Sequence, residues 1–292
     1  MEVSSDLVGI KTKPFKVKVT RRHSTNYAAA IGDLNPLYFD NVNNDVLVSH
    51  PVFAVALSWE LNSNLNKYVD YPMEREVIER LVHQSEQMEI KRLFQVGEEV
   101  SIEGEVIAVM PHDMGTKIVI RFDYMDSESE LILREHTGGL IFGMTCSDEG
   151  KGKENVPISE RVELADGEKP IWEKELFIDR NLPYLYDGCA NISAAIHTSP
   201  KFATSLGLPD IILHGTASLA LSVKELTTHY KLDPRKISAL GAKFTGMIVP
   251  GNNITLTVLR LDETDKELVI DFEVMNTNGE PALRGGRIIC ST

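Results

Sequence analysis

Cysteine is scarce in this chain. Its three residues, Cys146, Cys189 and Cys290, lie far apart and outside any CxxC or Cys/His cluster. That spacing argues against a disulfide framework and against a structural zinc site, and it fits a reducing compartment. Basic charge is short as well: 30 Lys and Arg stand against 43 Asp and Glu, for a net charge of −13. A phosphate backbone or an anionic membrane surface wants clustered Lys and Arg, so neither nucleic acid nor membrane is expected as a partner. A small acidic ligand could still use a local basic patch. No stretch approaches the ~20 apolar residues of a membrane span. The start, Met1-Glu2-Val3-Ser4-Ser5-Asp6, has neither the basic residues nor the apolar segment of a secretory leader. A cytoplasmic location is therefore expected. With 42% hydrophobic and 25% charged residues, the composition can bury a full core in each of two ordinary domains.

What is present is a repeat. His50-Pro51-Val52-Phe53-Ala54-Val55-Ala56-Leu57-Ser58 lines up with His214-Gly215-Thr216-Ala217-Ser218-Leu219-Ala220-Leu221-Ser222. Both follow a short apolar segment and open an apolar, helix-like stretch. Further on, Val96-Gly97-Glu98-Glu99-Val100-Ser101-Ile102 matches Val249-Pro250-Gly251-Asn252-Asn253-Ile254-Thr255, a turn glycine before alternating strand residues. Ile118-Val119-Ile120-Arg121-Phe122 then parallels Leu268-Val269-Ile270-Asp271-Phe272. The spacing between copies shrinks by about ten residues along the chain, as duplication followed by loop deletions would leave it. Between the copies, Cys146 to Pro170 is rich in charge, Gly and Pro and carries no apolar period, so it reads as a linker. The boundary is placed near residue 150, giving domains 1–150 and 151–292.

Each copy has the same order: an opening strand (Phe15 to Thr20; Trp172 to Ile178), a polar loop region, one helix, then several alternating strands. That order predicts an α+β class with an antiparallel sheet. Thr216 to Leu226 is apolar nearly all round, with Ala217, Leu219, Ala220, Leu221, Val223 and Leu226, so this helix must be buried, as one wrapped by a curved sheet would be.

In the second half, Ile196-His197-Thr198-Ser199-Pro200, then Ala203, Gly207-Leu208-Pro209 and Ile211-Ile212-Leu213-His214-Gly215, resembles the signature of the MaoC-like (R)-specific enoyl-thioester hydratases. That pattern reads Gly-Asp-x-Asn-Pro-x-His, a short segment with an Ala and a Gly, then Ile-x-His-Gly at the start of a buried helix. Ile31-Gly32-Asp33-Leu34-Asn35-Pro36-Leu37-Tyr38 in the first half matches the opening of the same pattern. The resemblance spans nearly the whole chain and implies a double hot-dog fold. It also implies the family's chemistry: reversible syn addition of water to a trans-2-enoyl thioester carried on coenzyme A or a carrier protein. No cofactor beyond that carrier is implied, and since such sheets usually find partners, a homodimer is expected.

Hydration needs a general base for water and a proton for the α carbon, and fixed donors for the charge that builds on the thioester oxygen. By the resemblance His197 is the base, and the Gly215 N–H at the helix start is the oxyanion donor, the first half having Pro51 there. The departures are informative. Five residues before His197, where the family keeps its Asp, this chain has Ile192, and Ala194-Ala195 replaces Asn-Pro. The first half keeps Asp33 and Asn35 but has Tyr38 for the His. Asp187, Asn191 and Ser193 are the neighbours that could take over the missing role. His50 and His214 are expected to hold the helix starts together, and Asp33 and Asn35 to serve a turn and a cap. Three readings stay open. One is a hydratase or dehydratase whose first half shapes an acyl pocket; the second is a thioesterase; the third is an acyl-thioester-binding subunit without catalysis.

Overall fold

The computed structural model describes residues 2–70, 77, 80–158, 160–165 and 167–292. The first half contains β1 (Glu2–Val3), β2 (Phe15–Lys18), α1 (Arg21–Ala30), α2 (Pro36–Phe39) and a 3-10 turn, Pro51–Phe53, that leads into α3 (Ala54–Ser63). After α4 (Leu65–Tyr68) come β3 (Leu81–Ile90), β4 (Glu99–His112), β5 (Gly115–Met125), β6 (Leu131–Phe142) and β7 (Thr145–Cys146). The second half repeats the order with β8 (Trp172–Phe177), α5 (Leu182–Ala190), α6 (Ala195–Thr198), α7 (Pro200–Ser205) and α8 (Gly215–His229). Strands β9 (Ile237–Phe244), β10 (Asn253–Glu263), β11 (Glu267–Met275) and β12 (Pro281–Ser291) follow.

The expected α+β class holds. Ten strands form one sheet in the order β2-β4-β5-β6-β3-β9-β12-β11-β10-β8, which reads the same from either end once β2 is matched with β8 and β3 with β9. Every neighbouring pair in it is antiparallel, including the seam between the halves, where Ser85 to Glu89 of β3 face Lys243 to Ala239 of β9. The likeness extends to irregularities. A register shift between Val106 and Ala108 in β4 has its counterpart between Val258 and Arg260 in β10. Such bulges bend a strand and sharpen its twist, which curves each half-sheet around its helix.

Helix α8 is buried, as its apolar pattern requires: Ala217, Leu219, Ala220, Val223 and Leu226 are fully inaccessible. Its buried hydroxyls are satisfied within the helix, Ser218 Oγ donating to His214 O, Ser222 Oγ to Ser218 O and Thr227 Oγ1 to Val223 O. Helix α3 occupies the matching place with Ala54, Val55, Leu57 and Leu61 buried. The two halves meet where α1 lies against α5. There the hydroxyls of Tyr27 and Tyr186 are 3.1 Å apart. Tyr27 donates to Val52 O at 3.2 Å, so Tyr186 donates to Tyr27, and the Thr216 hydroxyl, 3.1 Å from Tyr186, donates to Tyr186 in turn. A chain of hydrogen bonds therefore joins the start of one buried helix to the start of the other.

The segment after β7 pairs with the edge of β4, bridging Lys151 to Val109. Gly152 has a φ of +80° there, and a Cβ on it would fall 1.9 Å from Ile107 O, so only glycine fits.

Candidate functional site

The second-half motif comes together at the start of α8. Its α5 ends at Asn191, whose left-handed φ of 57° turns the chain toward α6. Asn191 is exposed there and serves as the C-cap. Ile192, at the position of the family's acid, points into the core and is 5% exposed. Helix α6 then carries His197. Its Nδ1 lies 2.8 Å from Ile212 O, and since a carbonyl cannot donate, Nδ1 holds the proton and Nε2 keeps its lone pair. The ring stacks on His214 with centroids 3.7 Å apart and an interplanar angle of 26°. Two cations could not stack so closely, and burial holds His197 down to about 4 and pulls His214 down further, with the His197 charge adding to the effect. Both rings are neutral near pH 7.

His214 also fixes the geometry of the helix start. Its Nε2 donates to Ile192 O at 3.2 Å, and no side chain caps α8. Gly215 therefore begins an uncapped fifteen-residue helix, with the positive end of the helix dipole beside a neutral histidine. A Cβ at Gly215 would lie 2.7 Å from the ring of Phe244, so even alanine requires that ring to move. Alanine there looks harmless from the sequence, and the packing of Phe244 explains why it is not.

Of the other sequence candidates, Asp187 is brought close. Its Oδ2 accepts from Ala194 N at 3.3 Å and lies 3.9 Å from His214 Nε2, and burial raises its carboxyl. It borders the histidine stack, and no carboxylate makes an ion pair with His197 among the described residues. The first half differs. His50 Nδ1 accepts from Val52 N at 3.1 Å, and its Nε2 faces Asp33 Oδ2 at 3.6 Å. Asp33 accepts from Asn35 N and Asn35 from Leu37 N, the turn and cap chemistry expected of them. Tyr38 is buried against the His50 ring.

Phe244, at the end of β9, borders Gly215, and the His83 ring, at the start of β3, stands edge-on to Phe244 with centroids 5.0 Å apart. Neither belongs to the motif. A strand residue brought in from the other half leaves no spacing signal near His197. A cavity of about 590 Å³ lies elsewhere, on the outer sheet face between the linker residues Glu154 to Ile158 and Arg121, Arg134 and His136.

Comparison with known proteins matches residues 193–280 to the MaoC-like domain family and residues 6–133 to the FAS1-like dehydratase domain region. Fatty acid synthase 2 of Mycosarcoma maydis is 30% identical over 97 residues, which is 31% of this chain and 3% of that protein. The peroxisomal multifunctional enzyme type 2 of Drosophila melanogaster is 22% identical over 283 residues, covering 94% of this chain and 45% of that protein. The chain thus spans less than half the length of these relatives. Among solved structures, a MaoC-like dehydratase from Phytophthora capsici superposes with a TM-score of 0.80 at 18% identity, over 97% of this chain and 96% of that one.

Proposed function

We propose that this chain, with its MaoC-like domain in residues 193–280 and its FAS1-like dehydratase domain region in residues 6–133, adds water reversibly to a trans-2-enoyl thioester at the start of α8. The observation that carries this reading is the fixed tautomer of His197, with Nδ1–H held by Ile212 O, no hydrogen bond to Nε2 among the described residues, and the ring stacked on His214, the residue before the uncapped Gly215.

The thioester oxygen accepts from the Gly215 N–H. As water's oxygen bonds to the β carbon, His197 Nε2 takes one of its protons and the π electrons move onto the thioester oxygen. The helix start stabilises that charge in a site where water competes little. When the electron pair returns to the α carbon, the same Nε2 delivers its proton there. One base on one face accounts for syn addition with no net proton change, which is how the site works with Ile192 in place of an acid. A positioned acid or base contributes ~10²–10⁴ in rate, so losing one partner slows the reaction without ending it.

The substrate is an acyl group on coenzyme A or a carrier protein, and no further cofactor takes part. The first half, with its helix start closed by Pro51, shapes the acyl pocket. We place the protein in the cytoplasm, where its three free cysteines stay reduced, and as a homodimer. Among the described residues no helix is long and apolar enough to cross a membrane.

Crotonyl-coenzyme A tests the proposal directly, because hydration removes the absorbance of its conjugated double bond. Loss of that absorbance with formation of the 3-hydroxy product is expected. A thermal shift on binding without any turnover would replace the proposal with a binding role.

A further inference from the structure

Successive residues of a strand face opposite sides of its sheet. Phe244 of β9 packs against Gly215, so its neighbour Lys243 stands on the face turned away from α8. On that outer face Lys243 is paired with Ser85 of β3, across the seam between the halves. Ser85 is also opposite Gly138 of β6, where a Cβ would fall 2.1 Å from Ser85 Oγ, so glycine makes room for the hydroxyl. In the next row Gln87 lies between His136 and Gly241.

A cavity of about 120 Å³ opens over these rows, walled by Val156 and Pro157 of the linker. It shares His136 and those two linker residues with the larger cavity of about 590 Å³. Five polar side chains line it: Ser85, Gln87, Lys117, His136 and Lys243. None of the five makes a side-chain hydrogen bond or an ion pair among the described residues, although His136 is only 7% exposed. Buried polar groups are normally paired, and all five of these have an N–H or O–H to give. Burial pushes the Lys117 ammonium down and the Lys243 charge pushes it further. Burial, with the charges of Arg134 and Arg121, holds His136 down to about 4, so near pH 7 it is a neutral donor.

The linker itself shows what outer-face cations receive elsewhere. In the second half its Glu160 lies 2.8 Å from Arg287 Nη2 and 3.4 Å from Arg260 Nη2. Asp271 adds a contact of 2.7 Å to the Nε of each. At the seam the same linker brings only Val156 and Pro157 to Lys117 and Lys243. One set of cations has its anions built into the chain, and the other has none.

We propose that the seam cavity binds the phosphate group of a small molecule, with Lys117 and Lys243 matching its charge and Ser85, Gln87 and His136 donating to its oxygens. A phosphate monoester carries a charge of about −1.5 to −2 near pH 7 and three strong acceptor oxygens. Two cations and three neutral donors suit that group, whereas a carboxylate, with one charge and two oxygens, would leave a lysine unmatched. The larger cavity beyond His136 has room for the rest of a phosphate ester, and Glu89 stands there to accept from its hydroxyl or amino groups. The sheet separates this site from the start of α8. Lys117 and Ser85 belong to one half and Lys243 to the other, so the ligand would also tie the halves together at their seam.

Isothermal titration of the full-length protein with inorganic phosphate, AMP and adenosine, at constant ionic strength near pH 7, tests the proposal. Phosphate and AMP should each bind saturably at one site per chain, and adenosine should not. Lys117→Met should weaken both by ~10-fold, as loss of a half-buried charged donor does. Lys243→Met, at a more exposed position, should weaken them by about threefold, and the double variant should bind neither measurably. Near-UV circular dichroism checks that the variants fold. Tighter binding of AMP than of phosphate assigns the site to a phosphate ester, and equal binding assigns it to free phosphate. Failure of both to bind the wild type, binding of adenosine as tight as that of AMP, or binding retained by the double variant would overturn the inference.

Discussion

The two buried helices begin with the same histidine in opposite employment. In the first half His50 turns its Nδ1 onto Val52 N and so caps its own helix start, next to a proline that has no N–H to offer. In the second half His214 gives its Nε2–H to Ile192 O, and no side chain caps the start of α8. One helix start is closed from within and the other is left for an outside acceptor. A duplicated fold can keep the packing of both copies while reserving the donors of one for chemistry, and the residue after the histidine decides which copy that is.

Making the second half imitate the first should have the largest effect. Gly215→Pro removes the N–H and should cost ~3–4 kcal/mol in the hydration transition state, seen as lower kcat with KM little changed. Any side chain here meets Phe244, so the comparison is best made in a Phe244→Ala background, where Gly215→Pro and Gly215→Ala differ by the N–H. Equal losses from the two would assign the effect to crowding. Next, His197→Ala should lower kcat by ~10² while the buried counterpart change, Tyr38→Phe, leaves turnover nearly as it was. Because burial holds His197 down to about 4, it stays neutral from pH 8 to well below pH 6. The hydration rate should therefore be level across that range and fall only as pH 4 is approached; a midpoint near 6.5 would remove His197 as the base.

A smaller effect concerns stability. The Glu135 carboxyl is raised in the folded state above its unfolded value of ~4.3. Its favourable contribution is present below that value and is lost as pH rises through the folded one. Glu135→Gln keeps hydrogen-bonding capacity without the ionisation, so its thermal midpoint should exceed the wild type's by a margin that grows above pH 5. Roughly 1 kcal/mol, or ~2–4 °C, is the expected scale at pH 7–8. The smallest effect is assigned to Asp187→Asn. This group borders the histidine stack without bonding to His197, so hydration should fall by less than about tenfold. A loss as large as that of His197→Ala would make Asp187 the acid that Ile192 replaces.

Much of this architecture was legible because the repeat preserves side-chain patterns that physics ties to place. The all-round apolar run from Thr216 to Leu226 could only be an interior helix, and the turn glycines Gly97 and Gly251 both precede strands of the main sheet. That His197 and Gly215 meet at the start of α8 was legible because their spacing within one segment survives. Phe244 was not. It reaches Gly215 from β9, and packing between elements distant in sequence leaves no local pattern. A slip of register between His83 and Ser85 also breaks the alternation by which β3 would have been read.

The seam has a consequence for dilution. When two such sheets belong to separate chains, their edges find each other only as often as concentration allows, and a site drawing on both edges empties as the partners separate. Here a tether holds β3 and β9 within reach, at the millimolar effective concentration typical of short linkers. A pair that opens closes again before any competitor arrives. The pairing of Ser85 to Glu89 with Lys243 to Ala239 is then as complete in a single molecule at nanomolar concentration as in a crowded cell.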